Sequence, residues 1–113
     1  MVLPTARIGS TRVSKMEVEF ADADLDRLER DPRFTGGFAQ AIVKSFRKKM
    51  QILRAATDDR DLYALRGLNF ERLSGARAHQ HSIRLNIQWR LILEMEGEGS
   101  KRKARVIEIE DYH

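Results

Sequence analysis

The sequence predicts an α+β fold: two N-terminal helices packed on one face of a small, mainly antiparallel sheet, in the order β-α-α-β-β-β-β. Three observations predict it. Helical periodicity is confined to residues 22–67, whereas apolar and polar residues alternate at 16–20 and through most of 68–113. The connections between the later strands are too short for the crossovers that parallel neighbours require. Along those strands one set of alternate positions is apolar and the other is charged, so the helices must cover a single buried face.

Residues 1–15, MVLPTARIGSTRVSK, follow neither period and carry only positive charge. They are expected to form a flexible N-terminal extension ahead of a single domain at 16–113, with Met16 as its functional start. MEVEF (16–20) is the first strand, with Met16, Val18 and Phe20 on one side. In ADADLDRLERDP, Asp22 or Asp24 caps a short helix and Pro32 limits it. After the RFTGGF loop, Phe38, Ile42, Phe46, Met50 and Leu53 form the apolar stripe of the longest helix. Lys44, Arg47, Lys48 and Arg54 fall off that stripe and are expected on a solvated face. TDDRDLYALRG closes the helical half at Gly67. LNFERL is then a short strand and SGARAHQ a loop. HSIRL and QWRLILEME form a hairpin turning at 86–88, GEGSKR is a second turn, and KARVIEIEDYH is the last strand.

Alternation assigns the faces. Ile83, Leu85, Trp89, Leu91, Leu93 and Met95 are expected toward the helices, and Ser82, Arg84, Arg90 and Glu94 away from them. On the last strand Ile107, Ile109, Asp111 and His113 share one parity, while Glu108, Glu110 and Tyr112 take the other. One face of the sheet is therefore polar and rich in arginine.

Composition narrows the function classes. With 113 residues, 42% hydrophobic and 34% charged, the chain has the makings of one globular domain. It lacks cysteine, which excludes disulfides, thiol nucleophiles and Cys-type zinc sites and fits a reducing cytoplasm, the expected location. No apolar run is long enough to span a bilayer and the N-terminus has no secretory h-region, so neither membrane insertion nor export is expected. The net charge of +4 is unevenly distributed. Residues 16–31 hold seven acids against Arg27 and Arg30, whereas 72–90 hold no acid but four arginines, Arg72, Arg77, Arg84 and Arg90, with His79 and His81. Polyanions are the partners such a stretch suits.

Metal-free RNA cleavage needs a base for the 2′-hydroxyl, an acid for the leaving oxygen, and cations around the phosphate. Histidine serves as acid or base near neutrality, and arginine grips phosphate through two parallel hydrogen bonds. Asp111, Tyr112 and His113 at one strand end, beside the basic stretch, supply these residue types. Singly, each has a plainer use: Tyr112 as an edge cover, Asp111 as an arginine partner, the arginines as solubilising groups. His79 and His81 at i, i+2 lack a third ligand nearby, so no metal and no other cofactor is expected.

The combination of RLSGARAHQHSIRLNIQWRLILE and a following EDYH resembles the HigB branch of the RelE/ParE toxin superfamily, the toxin halves of type II toxin–antitoxin pairs. Leu73, Gly75, Arg77, Ser82, Ile83, Arg84, Asn86, Trp89, Arg90, Asp111, Tyr112 and His113 carry the resemblance. It implies a RelE-like fold and a ribosome-dependent endoribonuclease that cuts mRNA in the A site and stops translation. It also implies a HigA-type antitoxin with a helix-turn-helix domain as partner. On this reading Asp111, Tyr112 and His113 contribute to activity, joined by Arg90. Arg77, Arg84 and Arg90 hold RNA phosphates, with Arg72 in the same basic stretch. The sequence departs from the family pattern where a histidine precedes the glycine loop, because Glu71 and Arg72 stand there; Ser74 replaces a lysine and Ala76 an acid. His81 is the candidate to replace the missing histidine. The rival readings are a ParE-like inhibitor of DNA gyrase and a non-enzymatic basic module that binds RNA or a protein partner.

Overall fold

The computed structural model describes residues 15–112. The expected extension, apart from Lys15, lies outside the described residues, and so does His113. Eight elements follow: β1 (Glu17–Phe20), α1 (Ala23–Arg30), α2 (Gln40–Ala55), α3 (Asp59–Ala64), β2 (Glu71–Arg72), β3 (His81–Arg84), β4 (Trp89–Glu96) and β5 (Lys103–Asp111). The α+β class and the grouping of helices before the last four strands agree with expectation. Among the described residues no helix is long and apolar enough to cross a membrane.

Local chemistry explains the helix ends. Asp22 caps α1, its Oδ1 accepting from the Asp24 amide at 2.7 Å, and the chain turns extended at Asp31 because Pro32 follows. Helix α2 buries Ile42, Val43, Phe46, Met50 and Leu53. Phe38 sits ahead of the helix rather than in it, edge-on to Trp89 with ring centroids 5.7 Å apart. Arg47 is not on a solvated face, contrary to expectation. Its Nε donates to Leu28 O and its Nη2 to Asp31 O and Phe34 O, tying the end of α1 and the following loop to α2. Arg54 stays exposed, as expected, and clamps Glu29 of α1 through two bonds of 2.6 and 2.7 Å.

Two further details differ from the sequence reading. The stretch 57–67 contains a third, six-residue helix, α3, capped by Asp58. The predicted strand LNFERL shrinks to the two residues of β2. Leu68 ends a 3-10 turn, Asn69 adopts a left-handed conformation (φ 49°), and both Leu68 and Phe70 are drawn into the core.

The five strands are ordered β1-β5-β4-β3-β2, antiparallel except where β1 lies parallel to β5. Ile83, Leu85, Leu91 and Leu93 face the helices in one buried cluster with Phe46, Met50, Leu53 and Leu62. Each fully buried side chain of this kind contributes about 1.5–3 kcal/mol relative to exposure. On β5 the core residues are Ala104, Val106 and Ile109, whose spacing changes parity midway. The cause is a β-bulge: Ile92 faces Glu108 while Leu93 faces Val106, leaving Ile107 as the extra residue. Ile107 therefore does not share the register that Ile109 holds, as simple alternation had it. Beyond the bulge, Ile109 and Asp111 point to the helix side and Glu108, Glu110 and Tyr112 to the other.

Candidate functional site

The face turned away from the helices is built in rows across three strands. Arg84, Arg90 and Glu110 are successive cross-strand partners, as are Ser82, Ile92 and Glu108. Ser82 and Ile92 are buried although they point away from the main core. The loop at 73–80 lies across this face. It is closed by Leu73 N donating to Gln80 O (2.9 Å) and by Arg72 Nε donating to Ala78 O (2.7 Å). Gly75 opens its 3-10 turn with a φ of 64°, a conformation that favours glycine. From this loop Arg77 reaches β5 and Gln80 reaches β4.

The strand end carrying Tyr112 is anchored on both sides of the chain. Tyr112 N donates to Gln88 O at 2.7 Å and Gln88 Nε2 donates to Asp111 Oδ2 at 2.9 Å. Gln88 itself sits in a turn held by Asn86, whose Oδ1 accepts from the amides of Gln88 and Trp89 at 2.8 and 2.7 Å. The Tyr112 ring then lies under the Arg90 guanidinium, with Cζ 3.0 Å from the ring centroid, while Arg90 Nη1 donates to Ser82 Oγ at 3.4 Å.

Arg84 and Arg90 stand directly opposite each other, an arrangement of like charges that is unfavourable in isolation. Among the described residues no carboxylate forms an ion pair with either. Glu110, next to Arg90 in the ladder, turns instead to Arg77. Arg77 Nη1 lies 3.0 Å from Glu110 Oε2 and Nη2 lies 2.9 Å from Oε1, and these bonds hold the Arg77 guanidinium above its ordinary pKa. Arg77 Nε also donates to Gln80 Oε1 (3.0 Å), and Gln80 Nε2 donates to Glu94 Oε2 (3.2 Å) with His79 3.8 Å from the same oxygen. The result is a polar face with a loosely neutralised cation pair, an aromatic ring beside it, and one arginine held by a carboxylate. Such a face suits a chain of phosphates and bases.

His81 is elsewhere. It pairs with Leu93 and shares the parity of Ile83, so it points to the helix side. There its ring stacks on Phe70 (centroids 4.6 Å, planes 12° apart), its Nε2 lies 3.3 Å from Tyr63 Oη, and its Nδ1 is buried without a partner. Burial pushes its pKa down. His81 thus lies behind the sheet, on the opposite side from Arg90 and Tyr112, while His79 approaches Glu94. Arg72 is the cross-strand partner of His81 and fastens the loop. Of the sequence-predicted residues, Arg77, Arg84, Arg90 and Tyr112 come together on one face. Asp111 points to the other side of the same strand end, and His113 lies outside the described residues.

A model of the HigB-like toxin family, described as the RelE-like toxin of type II toxin–antitoxin system HigB, matches residues 18–113. The chain belongs to this family. It is 34% identical over 79 residues to Toxin HigB-1 of Vibrio cholerae, an alignment covering 70% of this chain and 83% of that protein. The fold is similar to that of the YoeB/ParE toxin from Agrobacterium tumefaciens, with a TM-score of 0.55 at 20% identity over 87% of this chain and all of that one. As the toxin of a type II system, the protein has an antitoxin as its partner.

Sequence reasoning about this toxin missed Glu110 as the partner of Arg77, and Gln80 and Glu94 behind it. The signal for Glu110 was present: it shares parity with Tyr112, so any residue seeing Tyr112 from the loop also sees Glu110. Nothing in the sequence marked the loop as folding across β4.

Proposed function

We propose that the protein is a metal-independent endoribonuclease that cuts mRNA in the ribosomal A site and is restrained by a HigA-type antitoxin in the cytoplasm. The observation that carries this reading is the Arg90–Tyr112 stack at 3.0 Å on the same face as Arg77 and Arg84. Single-stranded RNA offers what that face lacks: phosphates for the arginines and an unpaired base for the ring. The acid–base groups are assigned to the adjoining chain end. His113 transfers the proton, abstracting it from the 2′-hydroxyl or donating it to the departing 5′-oxygen, and Asp111 orients that end through Gln88. Arg77 and Arg90 offset the charge that gathers on the phosphate as the 2′-oxygen attacks. The ribosome contributes by presenting one codon in an extended conformation, which lowers the entropy that the toxin alone would have to overcome.

The test uses programmed ribosomes with an end-labelled mRNA and a defined A-site codon, run beside a ribosome-free reaction. A single cut in that codon is expected, absent without ribosomes. Deleting His113 is expected to abolish it, and Tyr112→Ala to reduce it by about 5- to 150-fold, in line with the loss of about 1–3 kcal/mol of base stacking. Intact mRNA in the presence of folded wild-type protein refutes the reading, and a supercoiling assay with DNA gyrase then tests the rival one.

A further inference from the structure

Arg77 is suited to grip phosphate, yet its guanidinium is already filled. Two nitrogens face the two oxygens of Glu110 at 2.9 and 3.0 Å, and the third faces Gln80 at 3.0 Å. A carboxylate bound bidentately by arginine reproduces the geometry of a bidentate phosphate. The Glu110 side chain is mostly covered and the Arg77 side chain, at 42% relative exposure, is open to an incoming ligand. The loop that carries Arg77 is fastened at its ends and hangs across the face only through side chains, so the guanidinium can exchange partners without unfolding a strand.

We infer that Glu110 occupies the position of an RNA phosphate on Arg77 and sets the threshold for RNA binding. A phosphate approaching Arg77 must displace this carboxylate and then sit beside it, with Glu108 adding to the repulsion from the same strand. The consequence is specificity. A free RNA strand must offset the displacement with its own contacts, whereas an RNA held on a larger assembly brings additional binding energy and overcomes it. Glu110 is on this account a specificity-determining residue, not a proton carrier: its two oxygens are committed to Arg77 until RNA arrives. The inference rests on the assignment of this face to RNA made above.

The experiment measures binding of a short, single-stranded, fully 2′-O-methylated RNA, which cannot be cleaved through its 2′-oxygen, over a range of salt. The proteins are the wild type, Glu110→Gln, Glu110→Ala, Arg77→Ala and the Arg77→Ala/Glu110→Gln double variant. Glu110→Gln keeps the side-chain volume and an amide for packing, and thermal unfolding of both Glu110 variants identifies any that fail to fold. Glu110→Gln is expected to bind about three- to tenfold more tightly, the range set by a partly exposed ion pair plus one removed repulsion. Its dependence of log K on log salt is expected to steepen by about 0.7, one more phosphate engaged. The gain must vanish in the double variant. Wild-type binding with no gain in either folded Glu110 variant, or a gain that survives loss of Arg77, overturns the inference while leaving the RNA assignment intact. No binding by any of the proteins, the Glu110 variants included, overturns the inference, and the A-site cleavage assay decides the RNA assignment separately.

Discussion

At the scale of single residues, His81 shows how identity and position part company. A histidine in a basic stretch, near the place where relatives carry one, reads as an acid–base group. The structure seats it on the helix side, stacked on Phe70, with Nδ1 buried and unpartnered. Burial lowers its pKa below the ordinary 6.5, so the folded protein prefers the neutral ring more strongly than the unfolded chain does. Between the folded and the unfolded pKa the unfolded state holds more protons. Stability from this group is therefore complete above about pH 6.5 and is lost as the pH falls through the lower, folded value. The melting temperature of the wild type is expected to drop between pH 7.5 and 5.5 by more than that of His81→Phe, which keeps an aromatic ring on Phe70 and cannot titrate. Equal drops in the two proteins would show that His81 is not the group responsible. Arg84 and Arg90 were legible because strand alternation alone sends them to one face, whereas Arg77 arrives there through a loop and Tyr112 through the bulge. His81 was not, because the same alternation sends it to the other and only the neighbourhood of Phe70 and Tyr63 explains what it does there.

At the scale of elements, the helices were legible through their stripes and caps, but what their cations do was not. Arg47 lies off the apolar stripe of α2, which by itself points to solvent. It is held instead by three backbone carbonyls at the end of α1 and in the following loop, Leu28 O, Asp31 O and Phe34 O, of which Asp31 O also accepts from Phe34 N. That use depends on how α1 crosses α2, which no local pattern encodes. Arg47→Ala removes three charge-assisted bonds from half-buried acceptors and is expected to destabilise the fold by about 2–4 kcal/mol. Arg47→Lys is expected to recover less than half of this, because one ammonium cannot span carbonyls that the planar guanidinium reaches from separate nitrogens. Urea denaturation of the three proteins measures both. A loss below about 0.5 kcal/mol in Arg47→Ala, typical of a surface change, would return Arg47 to the solvated face. The bulge at Ile107 is likewise hidden from alternation. Val106 and Ile109 are both core residues, and only an extra residue between them lets Tyr112 end on the face of Arg90.

At the scale of the whole molecule, the strands differ sharply in how they are held. Strand β5 pairs along its length with β4 and on its other side with β1, whereas β2 is joined to the sheet by two residue pairs at its edge. The parallel contact between β1 and β5 was not legible, because alternation reports a buried face but not which neighbour a strand will choose. Its consequence is that β5, the strand that ends in Asp111, is an interior strand. The opposite edge, where β2 and the loop at 73–80 carry Arg77, depends on few backbone bonds. Local opening follows the number of such bonds and the burial beneath them. Amide exchange in deuterated water is therefore expected to be slowest at Leu91, Leu93 and Val106, whose exchange should track global unfolding. It should be faster by orders of magnitude at Glu71, Arg72 and through 74–80. Exchange at 74–80 is expected to slow when the uncleavable RNA binds, since Arg77 then bridges the loop to a ligand that also touches Arg90 and Tyr112. Strand β5 is expected to be unchanged, being rigid already. Uniform exchange across β2 and β5 would mean that the loop is not a separately opening unit. An RNA-induced slowing confined to β5 would place the ligand away from Arg77 and leave the loop without the part assigned to it.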